Sequence, residues 1–247
     1  MSEHSLDDFL GGRLSIAQPR RGYRSGADAV MLAASCAALP GQRVLELGCG
    51  AGVASLCLGW RVPEAIMTGL ERQGDYAGLA RQNAARNGIS LRVIEGDLAR
   101  MPTELRSESF DHVIANPPYF QGGTAPSDAG RGAARHEDTP LAVWVEAGLR
   151  RLRTGGVITL IQRADRLDGL VTALSGRAGA ITVLPVAARA GHAAGRVIVA
   201  ARKGARTPLR LLPPFIMHDE ASHLRDGEDL SVTASGVLRK GRPITLR

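Results

Sequence analysis

Three cysteines in 247 residues, Cys36, Cys49 and Cys57, form no CxxC pair and no metal-ligand spacing. That excludes a disulfide framework and a cysteine-held metal, and it points to reduced thiols in a cytoplasmic protein. No run of eighteen apolar residues occurs, so no membrane span is expected. The opening "MSEHSLDDFL" is acidic and has no apolar signal-peptide segment. Aromatics are scarce, at 4%, but 44% hydrophobic residues still supply a sizeable core. There is no internal repeat and no low-complexity linker. The nucleotide signatures GxGxxG and GK[ST] are also missing, which argues against a dinucleotide-binding site and a P-loop.

Positive charge is in excess, with a formal net charge of +7. The excess permits an acidic partner, nucleic acid first among them. It is clustered: Arg20, Arg21 and Arg24 near the start, Arg202, Lys203, Arg206 and Arg210 later, and Arg239, Lys240, Arg242 and Arg247 at the end with no acid among them. A solvated face or a frayed tail accounts equally well for each cluster taken alone.

The chain reads as a single domain, 1–247, with an N-terminal arm and helix (1–40), a core (41–202) and a C-terminal extension (203–247). Continuous apolar runs predict strands at 43–48, 65–71, 91–97, 110–116 and 156–162, the pattern of a parallel sheet covered on both faces. Helices are expected at 26–38, 53–60, 75–87, 138–153 and 164–177. Ser25 is placed to cap the first, and Asp75 and Gly88 to bound the third. This alternation is that of a doubly wound α/β fold. Two further strands, 181–187 and 195–202, are separated by too few residues for a parallel crossover and should form an antiparallel hairpin.

"ELGCGAG", Glu46 to Gly52, follows the first core strand and opens a helix. Gly48, Gly50 and Gly52 let the backbone turn sharply and approach a ligand. Glu46 disfavours a pyrophosphate there and favours an ammonium group. Glu71 ends the next strand, where a carboxylate meets ribose hydroxyls, and Asp97 ends the third, where one can accept from an adenine amine. Amine, ribose and adenine together fit S-adenosylmethionine.

The fourth strand, "FDHVI", runs into "ANPPYF". An exocyclic amine conjugated to a ring is a poor nucleophile. A site improves it by accepting both of its protons. The side-chain oxygen of Asn116 can accept one and the carbonyl of Pro117 the other. The prolines stiffen the turn and add no competing N–H. Tyr119 offers a face for a flipped-out base. The glycine-rich connection 121–138 has no apolar period, and Arg131, Arg135 and His136 within it can meet phosphate.

The frame "VLELGCGAG … LE … GD … NPPY" resembles class I S-adenosylmethionine-dependent methyltransferases that modify planar amines, over roughly residues 20–202. The resemblance implies a Rossmann-like α/β fold with a seven-stranded, mostly parallel sheet ending in an antiparallel hairpin. It also implies S-adenosylmethionine as cofactor and no metal. Members with NPPY act on adenine N6, guanine N2 in RNA, or glutamine N5 in release factors. Only 42 residues precede Arg43, too few for the helical domain of the glutamine enzymes. The chain is most similar to the small bacterial tRNA1(Val) adenine-N6 methyltransferases, through "GYRSGADAVMLAA" (22–34) and "ARHE" (134–137). That implies tRNA as partner and Asp28 on a helix beside the cofactor; Arg20, Arg21, Arg24, Arg131 and Arg135, on segments flanking the acceptor pocket, are expected to contact the RNA. RNA guanine-N2 and protein glutamine-N5 transfer remain alternatives, as does a non-catalytic RNA-binding module. The oligomeric state is open, a homodimer included. The basic tail has no counterpart in the resemblance.

Overall fold

The computed structural model describes residues 3–118, 139–219 and 229–246. The chain runs β1 (His4–Phe9), β2 (Leu14–Pro19), α1 (Ala27–Ser35), β3 (Arg43–Leu47), α2 (Val53–Arg61), β4 (Ile66–Glu71), α3 (Gly74–Arg86), β5 (Leu91–Glu95), a 3-10 turn (Leu98–Arg100) and α4 (Thr103–Arg106). It continues through β6 (Phe110–Ala115), α5 (Leu141–Arg151), β7 (Leu152–Arg163), α6 (Leu167–Leu174), β8 (Ala178–Ala187), β9 (Ala194–Lys203), β10 (Arg210–Leu211), β11 (Phe215–Ile216) and α7 (Val232–Lys240).

The central sheet has the order β10-β8-β9-β7-β6-β3-β4-β5, with β11 also on β8. All seven expected strands are present as β3 to β9. The two short strands β10 and β11 extend the sheet beyond them, parallel to β8. Among the described strands of this sheet, β9 alone runs against its neighbours, pairing antiparallel with both β7 and β8. Successive side chains of a strand face opposite ways. In β3, Val44 accordingly joins the core under α1 and α2, while Leu45 and Leu47 join the core under α5 and α6. Within α1, Val30, Met31 and Leu32 are buried, each worth about 1.5–3 kcal/mol of transfer free energy.

The sequence reading missed the hairpin β1–β2. Its turn carries Leu10, Gly11 and Gly12 at positive φ, and Gly11-Gly12 ahead of the alternating "LSIAQ" was an available signal. Two asparagines, Asn83 on α3 and Asn87 at its C-cap, tie the hairpin down. Asn83 accepts from Ala17 N at 2.8 Å and donates to Ala17 O at 2.9 Å; Asn87 does the same for Ser15, at 3.0 Å each way. One helical turn apart, the two amides serve as the missing neighbour strand for the edge of β2.

Two expected caps differ. The N-cap of α1 is Gly26 without a side-chain bond, not Ser25, whose backbone N and O are both bonded to the side chain of Gln18. Helix α3 begins at Gly74 with Gln73 as N-cap, so Asp75 lies in the first turn, where its charge favours the helix dipole. Gly88 does follow its end, at φ 62°.

The basic C-terminal run is not a frayed tail. Ser231 caps α7 by accepting from Ala234 N, and Gly241 ends it at φ 64°. Leu238, Ile244 and Leu246 pack against the core, and Ile244 N donates to Ala34 O at 2.8 Å. Among the described residues, no helix is long and apolar enough to cross a membrane.

Candidate functional site

The sheet order sets β3 between β6 and β4, with β5 beyond β4. The C-terminal ends of these four strands carry Gly48, Glu71, Asp97 and Asn116. Asn116 therefore lies on one side of the glycine loop, and Glu71 and Asp97 on the other, as expected.

Backbone bonds fix the loop. Gly48 N and Cys49 N both donate to Leu70 O, at 2.7 and 3.0 Å. Gly50 N donates to Glu71 Oε2 and Gln73 N to Glu71 Oε1, each at 2.9 Å. Glu71 thus braces the loop, and each of its oxygens keeps a further lone pair for a ligand hydroxyl. The glycines have different reasons to be glycine. A Cβ on Gly48 would lie 2.6 Å from Cη2 of Trp144 on α5. A Cβ on Gly50 would meet Tyr23 Cε1 at 3.9 Å, an ordinary van der Waals contact, so space alone does not demand a glycine there. Gly52 backs onto α3, where Ala80 Cβ would be 3.3 Å away.

Glu46 is buried beneath α2. Its Oε2 accepts from Ser55 N at 2.8 Å and from Ser55 Oγ at 2.5 Å. Burial, the largest influence, pushes its pKa up to about 8 against the Ser55 bonds, and the nearby Glu71 charge adds to the rise. Glu46, expected to attract an ammonium group, braces the first turn of α2 from beneath through these bonds. Asp97 caps the 3-10 turn by accepting from Ala99 N at 2.8 Å.

Asn116 is half-buried. Its Nδ2 donates to the hydroxyl of Tyr23 at 3.3 Å. The carbonyl of Pro117 accepts from Nε2 of the buried Gln162 on β7 at 3.3 Å. The second lone pair of that oxygen remains for an acceptor amine. Tyr23, Gln162 and Ser55 all escaped the sequence reading; Tyr23 stood inside the quoted "GYRSGADAVMLAA" segment with no role given.

Other expected residues fall elsewhere. Asp28 accepts from Arg196 Nε on β9 at 3.0 Å. Arg24 is ion-paired with Asp7 and donates to Pro19 O at 2.8 Å, which ties it to the hairpin. Arg20 and Arg21 are exposed. Tyr119, Arg131, Arg135 and His136 lie outside the described residues. A basic cleft of about 480 Å³ between the 3-10 turn and α5 is lined by Arg100, Arg106, Arg150 and Arg151, with Glu146 as its acid. Among the described residues, no group of His, Cys, Asp and Glu is arranged to hold a metal.

The model of the methyltransferase small domain matches residues 27–167, more than half of the chain. The chain belongs to this family. A protein from Porphyromonas gingivalis, named tRNA1(Val) (adenine(37)-N6)-methyltransferase, is 34% identical over 66% of this chain and 68% of its own. One of the same name from Actinobacillus succinogenes is 28% identical over 79% of this chain and 83% of its own. Among solved structures, one described as a predicted O-methyltransferase from Agrobacterium tumefaciens has a TM-score of 0.72 at 28% identity, covering 89% of this chain and 99% of that one. A Thermus thermophilus 16S rRNA guanine-N2 methyltransferase shares the fold, with a TM-score of 0.56 at 21% identity, over 81% of this chain and 50% of that one. The protein is an S-adenosylmethionine-dependent methyltransferase. The site fits that cofactor: the glycine loop is uncrowded at Gly50, and both oxygens of Glu71 stand at its edge.

Proposed function

We propose that this methyltransferase modifies the exocyclic N6 amine of an adenine in tRNA, near the anticodon. The observation that carries this is Asn116-Pro117 at the end of β6, beside the glycine loop. There the amide oxygen of Asn116 and the backbone carbonyl of Pro117 are the groups assigned to meet an acceptor. Two acceptors suit an amine, which has two protons to give, better than a hydroxyl, which has one. An amide also takes up no proton. A hydroxyl acceptor needs a base, whereas a newly methylated amine is cationic and sheds its proton readily. This favours nitrogen over the oxygen chemistry in the description of the Agrobacterium protein. The names of the curated relatives support adenine in tRNA, and with it a cytoplasmic setting.

In this reading the cofactor supplies the methyl group as a sulfonium, so charge disperses in the transition state. Glu71 holds the ribose, Asp97 the adenine amine, and the Gly48–Gly52 loop the amino acid end, with Glu46 bracing that loop's helix from beneath. Asp28 acts through Arg196 rather than on the cofactor. Tyr119 supplies the stacking face. Arg20, Arg21, Arg131 and Arg135 meet phosphate.

Nucleoside mass spectrometry of tRNA from a strain lacking the protein should show the loss of an N6-methyladenosine. Loss of an N2-methylguanosine instead would reassign the acceptor, and intact tRNA modification would remove tRNA from the reading.

A further inference from the structure

We infer that Tyr23 is a positioning residue for methyl transfer: its hydroxyl fixes the amide of Asn116 so that the oxygen, not the nitrogen, is presented to the acceptor amine. The inference rests on the amine-acceptor reading above.

A primary amide has two ends of nearly equal size and opposite hydrogen-bonding sense. Only the oxygen end can accept an amine proton. The nitrogen end would confront that amine with like-signed protons. Something must therefore distinguish the two ends. In the structure Asn116 Nδ2 donates to the Tyr23 hydroxyl at 3.3 Å, which turns the amide oxygen away from Tyr23. A side-chain hydrogen bond with Ser25 works to lower the Tyr23 pKa, the effect of a hydroxyl that donates to the phenol oxygen, so that oxygen acts as an acceptor. Burial, with the charges of Asp28 and Glu46 adding to it, pushes the Tyr23 pKa up to about 12 and keeps the phenol neutral in the physiological range.

The support is rigid. Tyr76 on α3 donates its hydroxyl to Tyr23 O at 2.9 Å. The buried Gln18 clamps Ser25 from both sides, accepting from its N at 2.8 Å and donating to its O at 3.1 Å. Cε1 of the Tyr23 ring lies 3.9 Å from where a Cβ on Gly50 would be. Tyr23 thus spans from the glycine loop to the acceptor turn, held by contacts to α3 and to the hairpin. A residue in this place can set the amide without touching the acceptor.

Tyr23→Phe tests this, since it keeps the ring and removes the hydroxyl. In isotope-labelled protein the side-chain NH2 resonances of Asn116 should shift. The kcat should fall by about tenfold, the rate equivalent of one neutral hydrogen bond, with KM for tRNA and cofactor affinity unchanged. In an Asn116→Ala background, Tyr23→Phe should cause no further fall, because the group it orients is gone. Unshifted Asn116 resonances, a normal kcat, or a full further loss in the Asn116→Ala background each overturn the inference. If the wild type methylates no tRNA, the acceptor reading fails by itself. The resonance shift then still decides whether Tyr23 holds the amide.

Discussion

Gly48→Ala separates two costs that the structure assigns to one position. The first is conformational. Gly48 has φ +66°, and an alanine held there costs about 1–2 kcal/mol. The second is overlap. The new methyl would lie 2.6 Å from Cη2 and 2.9 Å from Cζ3 of Trp144. Trp144 is 7% exposed and cannot swing into solvent, so the ring or the loop must shift, at about 1–3 kcal/mol. The sum is about 2–5 kcal/mol, a large share of the ~5–15 kcal/mol that holds a domain folded. Gly50→Ala is the control. It has φ +53° and only a 3.9 Å contact to Tyr23 Cε1, so it should cost the first ~1–2 kcal/mol alone. Urea midpoints at unchanged slope measure both. Combining Gly48→Ala with Trp144→Leu vacates the overlap. The double variant should then be more stable than the two single losses predict by about 1–3 kcal/mol. The reasoning fails if Gly48→Ala costs no more than Gly50→Ala, or if the double variant loses the plain sum.

Asn116→Ala should leave fold and cofactor affinity intact while kcat drops by about 100- to 1000-fold, or ~3–4 kcal/mol; single-turnover transfer to tRNA at the normal rate would contradict the amine-orienting role. Stability should fall as pH rises across about 5 to 8. In that window the folded state keeps the proton on Glu46, whose pKa burial lifts from 4.5 to about 8, and the unfolded state has lost it. Glu46→Gln should flatten that slope in urea midpoints, and an unchanged slope would place the titration elsewhere. Affinity for tRNA should decline steeply with salt. Arg100→Ala should lower the slope by about one contact if the basic cleft meets phosphate. Arg24→Ala should barely change it, since Asp7 already holds that guanidinium. A flat salt profile would sink the electrostatic account.

The parallel core was legible because its signal is local. Continuous apolar runs such as "RVLEL" and "FDHVIA" call for burial on both faces, and the short connector between β8 and β9 permits only a hairpin. The order of Glu71, Asp97 and Asn116 at strand ends followed from the same alternation. The hairpin β1–β2 did not, because β1 alternates only between exposed and half-buried residues. What holds β2 down is a pair of asparagines on a distant helix, 66 and 72 residues along the chain from Ala17 and Ser15. Roles at the site divide in the same way. From its sequence neighbours, Glu46 reads as a ligand-facing acid; its burial and its bonds to Ser55 appear only in the fold. Asp28 becomes the partner of Arg196, 168 residues away, and Asn116 that of Tyr23, 93 residues away. The sequence by itself determined the backbone frame, since strand, turn and helix preferences act over a few residues. Which side chains meet across that frame was decided by the order of strands in the sheet, because hydrogen bonds and burial act over ångströms in space whatever the separation along the chain.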